Sequence, residues 1–139
     1  MQVTPYLFFD GQCEQAFQFY AKCFGGQILA SVKYGDHAGG ENVTADARDR
    51  IMHTALKLGG NLLMASDCAH GEYRQPQGVS IAVDFDKPEE AERVFADLAD
   101  KGQVQMPMAE TFWAIRFGMV TDRFGTPWMV GCNKKPQTV

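Results

Sequence analysis

The stretch that decides the fold occurs twice, as "FFDGQCEQAFQFYAKCFGGQ" at residues 8–27 and as "DFDKPEEAERVFADLADKGQ" at residues 84–103. The two copies align without a gap, so that Asp10 matches Asp86 and Gly26 matches Gly102. A constant offset between matched residues is typical of one supersecondary unit that is repeated along the chain.

Each copy predicts the element order β-α-β-β-β. A short strand rich in aromatic and β-branched residues ends at an Asp that can cap a helix, and three further strand patterns follow that helix. The predicted strands are 3–9, 27–35, 51–59 and 61–67 in the first copy and 80–85, 103–110, 111–121 and 126–132 in the second.

The predicted helices carry apolar stripes at helical spacing, which indicates a face packed against the core. In the second helix, Asp86 and Glu89 have the spacing of a capping box, and Pro88 lies in the first turn. The stripe residues are Cys13, Phe17, Tyr20 and Phe24 in the first helix and Ala91, Val94, Phe95 and Leu98 in the second.

Length and composition fit one ordinary domain of 139 residues, 45% hydrophobic and 22% charged. We expect a first module at about 1–68, a linker at 69–77, a second module at about 78–133 and a tail at 134–139. The net charge of −4 leaves no basic stripe for a phosphate backbone, so nucleic acid is not an expected partner. The chain shows neither a long apolar run nor a signal peptide, which predicts a cytoplasmic protein without a membrane partner.

Four cysteines occur without any C-x-x-C pair, and we expect reduced thiols that act as small core residues. Cys13 is a partial exception, since a helix N-terminus can lower the pKa of a thiol and make it reactive. The Gly- and Asp-rich stretch at residues 35–49 predicts a loop, either a mobile lid or a tolerated surface insertion.

Paired β-α-β-β-β modules resemble the vicinal oxygen chelate superfamily, the proteins of the glyoxalase/bleomycin resistance/dihydroxybiphenyl dioxygenase fold. Three segments further resemble the PhnB-like family: "TPYLFFDGQCEQAFQFY" (4–20), "IMHTALKLGGNLLMASD" (51–67) and "ETFWAIRFGMVTDRFGTPWMV" (110–130). The resemblance implies an α+β fold, a curved mixed sheet with an internal cavity, and a homodimer. Many PhnB-like proteins carry the label of demethylubiquinone methyltransferase, but this chain lacks the Gly-rich turn and the length that a nucleotide-type methyl-donor site needs.

The resemblance also implies where a metal would bind. Metal-dependent members place one ligand on the first and one on the last strand of each module, and the matching positions here are Thr4, Met64, Ser80 and Met129. Hydroxyls and thioethers are poor ligands for the hard or borderline divalent ions that these enzymes use. No metal cofactor is therefore expected, although a divalent metal held by other ligands stays open.

Strand alternation predicts which side chains line the cavity. If Met64 and Met129 face inward, hairpin pairing places His53 and Arg116 on the same side, with Ala114 and Gly118 leaving room for a ligand. Trp113, Ile115, Phe117 and Met119 would then pack outward against the helices. The predicted ligand pocket comprises Thr4, Tyr6, Phe8, His53, Met64, Ser80, Arg116 and Met129.

These residues favour a protein that binds a small organic molecule in the cavity without the usual metal. Arg116 could anchor an anionic group of that molecule, or it could pair with a nearby acid. The alternative is an enzyme, either a metal-dependent lyase or dioxygenase-type protein with non-standard ligands or one that uses His53 as a general base. A structural subunit whose cavity a partner closes is a third reading, and the sequence leaves the question of catalysis open.

Overall fold

The computed structural model describes residues 1–36 and 43–135. The chain divides into two compact units, Met1–Arg74 and Gln75–Val139, which we call the N-terminal and C-terminal units. The boundary falls inside the predicted linker at 69–77.

In its described residues, the N-terminal unit contains one α-helix and a four-stranded mixed sheet. Its strand order is β1-β4-β3-β2, in which β1 runs parallel to β4 and the other neighbours are antiparallel. The elements are β1 (Tyr6–Phe9), α1 (Cys13–Phe24), β2 (Gln27–Lys33), β3 (Ile51–Leu58) and β4 (Asn61–Asp67).

The C-terminal unit repeats this topology, with strand order β5-β8-β7-β6 and a single parallel pair between β5 and β8. Its elements are β5 (Ile81–Asp84), α2 (Pro88–Ala99), β6 (Gln103–Ala109), β7 (Ala114–Thr121) and β8 (Pro127–Asn133). The predicted α+β fold with two β-α-β-β-β modules is therefore confirmed, as two open four-stranded sheets.

Each helix packs on one face of its own sheet. In the N-terminal unit Phe9 of β1 meets Phe17 of α1 edge to face at 6.4 Å, and Tyr20, Leu56 and Leu63 are buried with them. Burial of each large side chain contributes about 1.5–3 kcal/mol. In the C-terminal unit the predicted stripe Ala91, Val94, Phe95 and Leu98 is buried in the same way.

The predicted Asp N-caps of the two helices are wrong. The N-cap of α2 is Lys87, and neither helix has a side-chain hydrogen bond from its N-cap residue. The N-terminus of α1 is instead satisfied from the neighbouring strand, because the Asp67 carboxylate at the end of β4 accepts the N–H groups of Gly11 and Cys13 at 2.8 and 3.0 Å. A local motif search misses such a cap because its acceptor is distant in sequence.

Two predicted segments lie partly outside the described residues. The loop at 35–49 is described only at its ends, where short 3₁₀ turns span Tyr34–Asp36 and Ala45–Ala47. The tail at 134–139 is described for its first two residues. Among the helices that the structure describes, none has the length and apolarity to cross a membrane.

Candidate functional site

The sheet of the N-terminal unit has one face that α1 does not cover, which we call its helix-free face. Strand register pairs Tyr6 with Met64 and Phe8 with Ser66, while Ala55 lies opposite Met64 on the next strand. Paired residues share a face. The predicted alternation therefore holds in this unit.

An aromatic cluster of Tyr6, Phe8 and His53 occupies this face. The rings of Tyr6 and Phe8 lie 5.2 Å apart, and His53 stacks on Tyr6 at 5.7 Å. The Tyr6 hydroxyl and His53 Nδ1 share a hydrogen bond of 3.1 Å. Tyr6 is 40% exposed and Phe8 is 54% exposed, so the cluster presents aromatic surface to solvent.

Phe8 also borders a pocket within the N-terminal unit, which we call the N-terminal pocket. Its volume is about 350 Å³, near the lower limit of ordinary ligand sites. The residues around it are Phe8, Tyr34, Ser66, Asp67, Cys68, Glu72 and Arg74. Glu72 and Arg74 follow β4 in the predicted linker, and neither is among the predicted pocket residues.

The walls of this pocket are mostly uncharged. Burial and the nearby Glu72 carboxylate raise the pKa of the Cys68 thiol, and burial likewise raises the pKa of Tyr34. The Tyr34 hydroxyl donates to the backbone carbonyl of Asp67 at 2.8 Å. The carboxylate of Asp67 accepts backbone N–H groups instead of facing an ion pair.

The C-terminal unit has a second pocket of about 470 Å³, the C-terminal pocket. Ser80, Met119 and Met129 line it together with Gln105 and the edge of Trp128. Register pairs Met129 with Met119 and with Ala82. The structure thus brings the predicted residues Ser80 and Met129 to one pocket.

Arg116 does not belong to that pocket. It pairs with Cys132, on the sheet face opposite Met129, and its guanidinium bonds to Glu92 of α2 and to the Met108 carbonyl at 3.1 Å. The prediction that Arg116 shares a face with Met129 is wrong. Its alternative, an ion pair with a nearby acid, is confirmed.

The turn between β7 and β8 explains why Arg116 lies on the face opposite Met129. Register pairs Thr121 with Pro127, so the turn contains five residues, 122–126. The strands predicted at 111–121 and 126–132 leave only four residues between them. A shift of one residue moves every side chain of a strand to the other face. Phe117 and Met119 accordingly lie on the face of Met129, and Gly118 faces α2. Trp113 and Ile115 are 43% and 42% exposed, and the Trp113 ring contacts the ring of Phe117.

The predicted metal positions in the N-terminal unit are Thr4 and Met64. Thr4 lies just before β1, and Met64 lies beside Tyr6 on the helix-free face. Across residues 1–36 and 43–135, no three His, Cys, Asp or Glu side chains are grouped so that they could hold a metal ion. Burial and the Asp67 carboxylate raise the pKa of the Cys13 thiol, opposite to the lowering that a helix N-terminus could cause. All four cysteines are free and buried, as expected for small core residues.

Two β-α-β-β-β units, each with one helix packed on a four-stranded mixed sheet, define a protein of the glyoxalase/bleomycin resistance/dihydroxybiphenyl dioxygenase fold class. A glyoxalase-related enzyme from Fulvimarina pelagi shows this fold at 16% identity, with a TM-score of 0.60 and coverage of 96% of this chain and 89% of that one. The chain belongs to the family described as 3-demethylubiquinone-9 3-methyltransferase, which matches residues 1–131 and corresponds to the PhnB-like proteins.

Two relatives match this chain over nearly their whole length. Protein PA1353 from Pseudomonas aeruginosa is 46% identical, with a TM-score of 0.85 and coverage of 95% of this chain and 97% of that chain. Protein YjdN from Escherichia coli is 32% identical over 146 residues, which covers 99% of both proteins.

Proposed function

We propose that this protein binds a small organic molecule with a flat apolar part on the helix-free face of its N-terminal unit. The observation that carries the proposal is the exposed aromatic cluster of Tyr6, Phe8 and His53 at the border of the N-terminal pocket. Aromatic side chains supply apolar surface together with a fixed stacking geometry. A pocket with a few polar groups beside such a surface is typical of small-molecule sites.

The strand geometry supports an aromatic cluster that is already formed before a ligand binds. The backbone of Tyr6 is held by its pairing with Met64, and the hydrogen bond to His53 orients its ring. A rigid aromatic surface loses little conformational freedom on binding, which favours affinity.

Methyl transfer, named in the family's description, is not part of the proposal. A nucleotide-type methyl donor binds where a parallel strand leads through a Gly-rich turn into a helix of a doubly wound sheet. Each sheet here has a single parallel pair, and the connection from β1 to α1 carries one glycine, Gly11.

A divalent metal is not part of the proposal either. The superfamily positions hold the hydroxyls of Thr4 and Ser80 and the thioethers of Met64 and Met129. This donor set does not fit a hard cation, since thioethers select soft metals.

The proposal predicts that Phe8→Ala weakens ligand binding about tenfold, because the ligand loses an aromatic surface worth roughly 1 kcal/mol or slightly more. A thermal-shift screen of small aromatic metabolites first finds compounds that raise the melting temperature. Calorimetric titration of these compounds then compares the wild type with the variant.

Phe112→Ala is the matched control, since Phe112 is 89% exposed and lies in the C-terminal unit. We expect it to leave the affinity unchanged. Equal affinities for the wild type and Phe8→Ala, for every compound found, would contradict the proposed site.

A further inference from the structure

Two exposed side chains of opposite charge, Arg74 and Glu72, line the N-terminal pocket. Among the described residues, neither Arg74 nor Glu72 takes part in an ion pair, and Glu72 accepts the backbone N–H of His70 at 3.0 Å. Both line the same pocket. Ion pairs occupy other arginines, such as Arg50 with Asp10 and Arg116 with Glu92.

Asp67 and Tyr34, two other polar residues of the pocket, are hydrogen-bonded within the protein. Asp67 is 1% exposed, and its carboxylate accepts three backbone N–H groups, from Gly11, Cys13 and Ile51. The hydroxyl of Tyr34 is engaged with a backbone carbonyl. The charges that remain for recognition are therefore those of Glu72 and Arg74.

We propose that the N-terminal pocket recognises a zwitterion, an amino acid-like molecule with a carboxylate, an ammonium group and a flat apolar side chain. This inference rests on the proposed function and names its ligand class. Arg74 binds the carboxylate, for which the planar guanidinium has matching geometry, and Glu72 accepts from the ammonium group. The apolar side chain packs against Phe8.

Three probes with the same phenyl group separate the two charges. L-phenylalanine carries both, hydrocinnamate carries only the carboxylate, and phenethylamine carries only the ammonium group. By calorimetric titration at low ionic strength, where charge interactions are least screened, we expect L-phenylalanine to bind about tenfold more tightly than either single-charge probe.

Charge-removing variants assign each charge to its residue. Arg74→Met should weaken L-phenylalanine and hydrocinnamate about tenfold and leave phenethylamine unchanged. Glu72→Gln should weaken L-phenylalanine and phenethylamine by a similar factor and leave hydrocinnamate unchanged. Arg116→Met is the control, and it should change none of the three affinities because Arg116 faces α2.

The outcomes distinguish this inference from the proposed function. Equal affinities for all three probes, with Phe8→Ala still weakening them, overturn the zwitterion and leave the small-molecule site standing. The same holds if no probe binds while uncharged aromatic compounds bind in a Phe8-dependent way. The absence of any Phe8-dependent binder overturns both.

Discussion

Replacing Asp67 with Asn lowers the expected free energy of unfolding by about 3 kcal/mol. The side chain is 1% exposed, and its two oxygens accept three backbone N–H groups. Asn retains one oxygen for Gly11 and Cys13 but turns its NH₂ group toward the N–H of Ile51, so two donors meet in a buried space. The change also removes a negative charge from the N-terminus of α1, where the helix dipole favours it. Urea denaturation followed by far-ultraviolet circular dichroism, to which both helices contribute, measures the loss.

Asp84→Asn is the matched control for this substitution. Asp84 ends β5 of the C-terminal unit but is exposed, and it accepts a single backbone N–H, that of Asn133, at 3.0 Å. We expect it to cost less than about 1 kcal/mol, since an exposed group regains its hydrogen bond from water. Equal losses for the two variants would show that Asp67 does not have the structural role assigned to it.

The elements of this fold could be predicted because their signals are local. The repeated segment at residues 8–27 and 84–103 predicted the two α-helices. Short runs of β-branched and aromatic residues predicted the eight strands that the structure describes. In the N-terminal unit the Gly59-Gly60 turn joins strands paired from Leu58 to Asn61, so alternation also gave the faces of Tyr6 and Met64 correctly.

The faces of the C-terminal unit could not be predicted because they depend on one turn. Asp122 accepts the N–H groups of Phe124 and Thr126 and the indole N–H of Trp128, and thereby holds five residues between β7 and β8. The sequence shows a turn at Gly125 but not how many residues it contains. The one additional residue in the turn decides whether Arg116 faces a ligand or α2.

Arg74 and Glu72 were missed for a different reason. Both lie in a polar stretch that has no periodicity, where charged residues are ordinarily solvated. Only the folded chain brings them to the same pocket as Phe8 and Tyr34. Residues that are distant in sequence and meet only in the folded chain leave no recognisable pattern in a single sequence.

Gly118→Ala tests the corrected register directly and should cost about 2 kcal/mol of unfolding free energy. A Cβ at this position would lie 2.7 Å from the ring of Phe95 in α2, 2.8 Å from the Met108 sulfur and 3.0 Å from the Met106 carbonyl oxygen. The ring and the backbone oxygen cannot both give way without displacing α2 or β6. Urea denaturation again measures the change.

Gly60→Ala is the control for the added methyl group, because nothing lies within 4 Å of a Cβ there and the backbone angle is an ordinary one. Its stability should equal that of the wild type or exceed it by about 0.5 kcal/mol, since alanine restricts the unfolded chain. If alternation had placed Gly118 in open space facing a ligand, Gly118→Ala would behave in the same way. An unchanged stability of Gly118→Ala would therefore contradict the five-residue turn and would place Arg116 on the same face as Met129. A loss near 2 kcal/mol would instead support the placement of Gly118 and Arg116 on the face that packs against α2.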